Sequence, residues 1–84
     1  MLEITSVKKN RTNVVVDWNS SVDNISSFLI VFDDESSCTI VGLEVDATSF
    51  TAKNLSRYRT YDVYLKALTP DGWVTSNSYT YRLD

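Results

Sequence analysis

Apolar and polar residues alternate with a period of two through most of the chain, and no long segment carries the three-and-four spacing of an amphipathic helix. Side chains on a strand point alternately to opposite faces, so each alternating run assigns its residues to two faces. TNVVVDW (12 to 18) places Val14, Val16 and Trp18 on one face and Val15 and Asp17 on the other. SSFLIVFD (26 to 33) is apolar on both: Phe28, Ile30 and Phe32 share one face, Leu29 and Val31 the other. RTYDVYLKALT (59 to 69) turns Tyr61, Val63, Leu65 and Ala67 inward and leaves Asp62, Tyr64, Lys66 and Leu68 outward. SCTIVG (37 to 42) and ATSFTAK (47 to 53) are shorter candidates, and WVTSNSYTYRL (73 to 83) closes the chain with Tyr79, Tyr81 and Leu83 in phase.

With LEITSVK at the start, these runs predict about seven strands joined by short polar connections, the pattern of an antiparallel two-sheet sandwich or a barrel. The connections carry turn residues, most clearly Pro70-Asp71-Gly72, where proline presets φ and glycine accepts positive φ. No internal repeat, linker or low-complexity tract divides the 84 residues, so the expectation is a single all-β domain over residues 1–84 with one core.

The spaced pattern resembles the fibronectin type III domain, an immunoglobulin-like β-sandwich, over nearly the whole chain. The residues that carry the likeness are Ile4 and Val7, then Val14, Val16 and Trp18, then the aromatic-x-aliphatic-x-aromatic run Phe28, Ile30 and Phe32. In the most regular stretch, Leu55 is followed six residues later by Tyr61 and then by Val63, Leu65 and Ala67. The resemblance implies structural roles for Trp18 and Leu55, and makes Tyr61 a tyrosine corner, a buried ring whose hydroxyl bonds backbone near the preceding turn. The chain departs from the family in having one proline where several are usual, and it lacks an Arg-Gly-Asp tripeptide before its last strand, which leaves integrin-type adhesion through that loop unsupported.

Composition narrows the chemistry. The net charge of −3 and pI near 4.7 do not suit a phosphate backbone, so nucleic acid is not an expected partner. No apolar run approaches the roughly 20 residues of a membrane helix, and membrane insertion is not expected. Histidine is absent, which removes Ser-His and Cys-His nucleophile pairs and histidine-containing zinc sites. The many serines and threonines have no base to activate them, so neither an enzyme nor a cofactor is expected. Cys38 is the sole cysteine and has no basic neighbour to stabilise a thiolate. Asp33-Asp34-Glu35 supplies carboxylates without the spacing or glycine of a calcium loop, and reads as a solvated turn. Sequons occur at Asn10, Asn19, Asn24 and Asn54, which are glycosylation acceptors only in a secretory compartment.

The remaining signal is the outward face of the sheet that the resemblance builds from the third, sixth and seventh strands. Leu29, Val31, Tyr64 and Leu68 should lie there, and apolar residues grouped on an outer face suggest contact with another surface. Asp71 and Trp73, at and beside the Pro-Asp-Gly turn, are the other candidate contacts, because tryptophan is enriched at binding hot spots. The function expected is a non-catalytic protein-binding or structural module, an adhesion or spacer domain of a larger extracellular protein. Alternatives are a stand-alone decoration or tail protein of a phage virion, assembled on a capsid or as a homo-oligomer, and a small acidic protein inhibitor. Extracellular or virion-surface placement goes with the first two readings; the cytoplasm remains open. The start at Met1 just before the first strand suits a trimmed domain or a minimal gene product equally.

Overall fold

A computed structural model of the protein describes residues 2–11, 13–34, 37–53 and 59–83. These form eight strands: β1 (Leu2–Asn10), β2 (Asn13–Ser20), β3 (Ser27–Asp33), β4 (Cys38–Leu43), β5 (Ser49–Ala52), β6 (Arg59–Thr69), β7 (Gly72–Thr75) and β8 (Tyr79–Leu83). They pair antiparallel into a three-stranded sheet of order β1-β2-β5 and a five-stranded sheet of order β4-β3-β6-β7, in which β8 also pairs with β6. Of the sandwich and the barrel that the alternation left open, the two-sheet sandwich implied by the resemblance is the observed architecture.

Between the sheets lies one core of strand residues whose alternate positions point inward, and removing these aliphatic and aromatic surfaces from water supplies the main favourable term in folding. Val14, Val16, Ile30, Val63, Leu65 and Ala67 are wholly enclosed. Trp18 meets Phe28 edge-to-face at 5.7 Å between ring centroids and donates from Nε1 to the Ala47 carbonyl at 3.0 Å, so both its apolar body and its polar tip are satisfied. Tyr61 and Tyr81 stack at 5.7 Å across β6 and β8.

Two irregularities modify the alternation. Ile4 and Val7 are three apart and cannot share a face on a regular strand, yet Ile4 is buried and Val7 packs on the core. The pairing resolves this, because Ile4 stands opposite Trp18 and Ser6 opposite Asp17, which leaves Thr5 as an extra, bulged residue. The second irregularity corrects the expected strand count. The run from 73 to 83 is two strands: β7 pairs Thr75 with Lys66, β8 pairs Tyr79 with Val63, and residues 76–78 stand opposite only Tyr64 and Leu65. That one extra residue reverses the phase, so Trp73 faces outward with Leu68 while Tyr81 faces inward with Tyr61.

The bulge also ties the sheets together. Its Ser76 donates from the backbone to Leu65 O at 2.9 Å and accepts the Leu65 N–H on Oγ at 2.8 Å. Asn77 accepts the Ile4 N–H at 2.8 Å and donates from Nδ2 to the Ile4 carbonyl at 3.3 Å. An amide side chain thus occupies the place of a neighbouring strand on the edge of β1.

Candidate functional site

The outer face of the five-stranded sheet is ordered in cross-strand rows, since antiparallel partners directly opposite one another project to the same side. At one end, Cys38, Asp33, Asp62 and Thr80 form a polar row, in which the Thr80 hydroxyl donates to Asp62 Oδ1. Next come Ile40, Val31 and Tyr64, followed by Gly42, Leu29, Lys66 and Thr75. The last row sets Ser27, Leu68 and Trp73 side by side. The face therefore runs from carboxylates at one end to an indole at the other, with Ile40, Tyr64 and Leu29 between them beside Lys66 and Thr75.

Exposure differs sharply within it. Ile40 is 60% exposed and Trp73 51%, whereas Val31 is only 2% exposed. Val31 is thereby corrected as a contact residue: it occupies the central strand, and Ile40 and Tyr64 on either side enclose it. Leu29, Tyr64 and Leu68 are half-buried on the same face. Asp71 is exposed at the tip of the β6–β7 hairpin, where Gly72 has a φ of 114° and the Thr69 hydroxyl both donates to Gly72 O at 2.9 Å and accepts the Asp71 N–H at 3.2 Å. These bonds, with proline at the first turn position, hold the tip and present Trp73 from the strand that follows.

Ile40 was not among the residues singled out from the sequence. Its strand was visible in SCTIVG, but which face it shares depends on pairing with β3, and that is a property of the sheet. The bulge at residues 76–78 was equally hidden, although the uninterrupted polar tetrad TSNS marks where the alternation fails.

The acidic turn is occupied with local bonding. Asp34 accepts the Ser37 N–H on Oδ1 at 2.7 Å and pairs with Arg59 at 3.6 Å, so it serves as a turn-forming residue. Among the described residues there is no cluster of three metal-ligating side chains. Asn10 and Asn19 are exposed on the three-stranded sheet, and Asn24, exposed with a φ of 60°, lies in the β2–β3 connection. Asn54 and Leu55 lie outside the described residues. Tyr61 is 6% exposed, at the end of β6 that adjoins that undescribed connection.

Tyr81, which stacks on Tyr61, is unusual in its hydroxyl. Its ring is buried, and its hydroxyl has no hydrogen-bond partner among the described residues. Burial, reinforced by the neighbouring Tyr61, pushes its phenol far above the ordinary range. The phenol therefore keeps its proton through the ordinary phenol range.

The family model of the fibronectin type III domain matches residues 2–82. The chain belongs to the fibronectin type III family. Solved structures agree in fold: an FN3 domain of human collagen XX superposes with a TM-score of 0.80 at 17% identity, covering 96% of this chain and 90% of that one. A redesigned β-sandwich protein gives 0.69 at 24% identity, over 96% and 95% of the two chains. Pectate lyase Pel3 from Pectobacterium carotovorum gives 0.81 at 11% identity, over 99% of this chain and 27% of the lyase. This fibronectin type III domain thus spans about a quarter of that enzyme's length. No curated protein sequence matches the chain. Fibronectin type III domains are generally non-catalytic binding or structural modules and are common in extracellular proteins.

Proposed function

We propose that this domain is a non-catalytic protein-binding and spacer module of a surface assembly, and that it meets its protein partner through the outer face of the five-stranded sheet. The observation that carries the reading is the pair of exposed apolar anchors on that face, Ile40 and Trp73, flanking half-buried Tyr64, Leu29 and Leu68. Exposed aromatic and aliphatic groups gathered on one rigid sheet suit a hot-spot cluster, in which a few large side chains supply most of the binding free energy. Asn10 and Asn19 lie on the other sheet, so glycans there would leave this face bare.

The path of the chain supports the spacer role. Leu2 pairs with Ser20 at the end of the sandwich that bears the β2–β3 connection, while Leu83 pairs with Arg59 at the opposite end, beside the Asp33 row. Lys9, at the far end of β1 from Leu2, donates from Nζ to the Arg82 carbonyl at 2.7 Å. Segments continuing from these two points would leave at opposite ends of a body 39 Å long, the geometry of units strung in series. The fold's place as a minor part of the longer pectate lyase supports a modular role in the same way.

The test is the double substitution Tyr64→Lys with Trp73→Lys. Both side chains project outward, so the expected outcome is a folded domain with an unchanged circular-dichroism spectrum that no longer co-purifies with its native assembly. A folded variant retained as firmly as the wild type would place the contact elsewhere.

A further inference from the structure

The four outer edges of the two sheets are defended unequally. An edge strand exposes unpaired N–H and C=O groups, and proteins blunt it with charge, proline, bulges, short length or a cover. The β1 edge has the Thr5 bulge, Lys8 and Lys9, and the Asn77 amide seated on Ile4. The opposite edge of that sheet, β5, is four residues long. The β7 and β8 edge is broken at residues 76–78, with β7 again only four residues. None of these devices protects β4. Its six residues CTIVGL hold no charge and no proline, and they pair with β3 in unbroken register from Cys38 to Leu43. Among the described residues no side chain bonds to its free backbone edge, and Cys38, Thr39, Ile40 and Gly42 are exposed.

We propose that β4 pairs antiparallel with β4 of a second copy of this chain, joining two five-stranded sheets into one continuous sheet across a two-fold axis. Three features favour a second copy as the occupant. First, self-pairing across a two-fold axis repeats each residue, and β4 is free of the like-charge clash that such repetition brings wherever an edge carries Lys or Glu. Second, both copies must keep the same face outward, so pairs join residues of equal parity; centring the axis on Ile40 sets Ile40 against its own copy and Cys38 against Gly42. The protruding isoleucine, 60% exposed in the single chain, is then covered by its equivalent. Third, the row Ile40, Val31 and Tyr64 becomes continuous with the same row of the other copy, doubling the apolar stripe of the outer face. A six-residue ladder is a small interface, so the dimer is weak and transient. Pairing at this edge covers Ile40, one of the two anchors of the proposed partner contact, and leaves the other, Trp73, free.

The experiment uses the native cysteine. Cys38 is exposed and unique, and a nitroxide attached there reports on its equivalent across the axis. With the axis at Ile40 the two Cys38 Cα atoms are offset by four residues along one ladder, about 14 Å apart. Sedimentation of the unlabelled chain up to about 1 mM should show reversible dimers, and the labelled chain should show matching dipolar broadening. Ile40→Lys puts two ammonium groups face to face and should weaken association by about tenfold or more. Gly42→Lys is a second edge variant with room for its side chain and no positive φ to strain, and should weaken it as well. Trp73→Lys should leave the dimer intact. A wild type that stays monomeric overturns the proposal, whether or not it captures some other extended peptide. So does a dimer that survives both edge variants, or one that Trp73→Lys dissolves.

Discussion

Tyr61 and Tyr81 stack against each other in the core, and the Tyr81 hydroxyl has no hydrogen-bond partner among the described residues. A buried hydroxyl without a partner costs free energy that water would otherwise supply. Tyr81→Phe removes that cost while keeping the ring, so it should leave stability unchanged or raise it by about 1 kcal/mol, as read from the urea midpoint. The pH dependence has a definite sign. The Tyr81 phenol is raised in the folded state, so above the ordinary phenol range the unfolded chain loses its proton first and the folded chain retains it. The native state then binds more protons than the unfolded one, and stability falls as pH rises. The domain should therefore lose stability from about pH 10 upward, and Tyr81→Phe should flatten that alkaline limb. An unaltered alkaline limb in the variant would show that Tyr81 does not govern it.

At the scale of strands, alternation alone assigned Phe28, Ile30 and Phe32 to one side and Tyr61, Val63, Leu65 and Ala67 to another, and all seven are buried. A central strand imposes its period on the sequence because both its faces are constrained by neighbours. Edge strands and bulges are less legible. In WVTSNSYTYRL only the polar tetrad TSNS marks a break between Trp73 and Tyr81, eight residues apart and nominally in phase, and it does not give the size of the insertion; residues 76–78 are accommodated because Ser76 and Asn77 satisfy backbone groups of β6 and β1. Val31 shows the same limit on the candidate site. Its direction follows from parity, but its burial depends on Ile40 and Tyr64, which arrive from other strands. Asn77 gives the test at this scale. Asn77→Ala should expose the Ile4 N–H and carbonyl, speed hydrogen exchange at the Ile4 amide, and cost about 1–2 kcal/mol. Unchanged exchange at Ile4 would mean that the edge of β1 is held by other contacts.

The whole molecule is a rod 39 Å long with three unequal regions of surface. The three-stranded sheet carries Asn10 and Asn19, the β4 edge offers backbone hydrogen bonds, and the outer face of the larger sheet offers apolar groups that end at Trp73. The last of these is central, because only there are an exposed tryptophan and an exposed isoleucine mounted on one sheet. The two tryptophans make it directly measurable. Trp18 is 3% exposed and serves as an internal reference, whereas Trp73 is half exposed. Hydroxyl-radical oxidation of the free domain should therefore modify Trp73 and spare Trp18. In the native assembly, Trp73 and Tyr64 should become protected while exposed groups of the three-stranded sheet keep their rates. Oxidation of Trp73 at the same rate, free and assembled, would contradict the outer face as the site of contact.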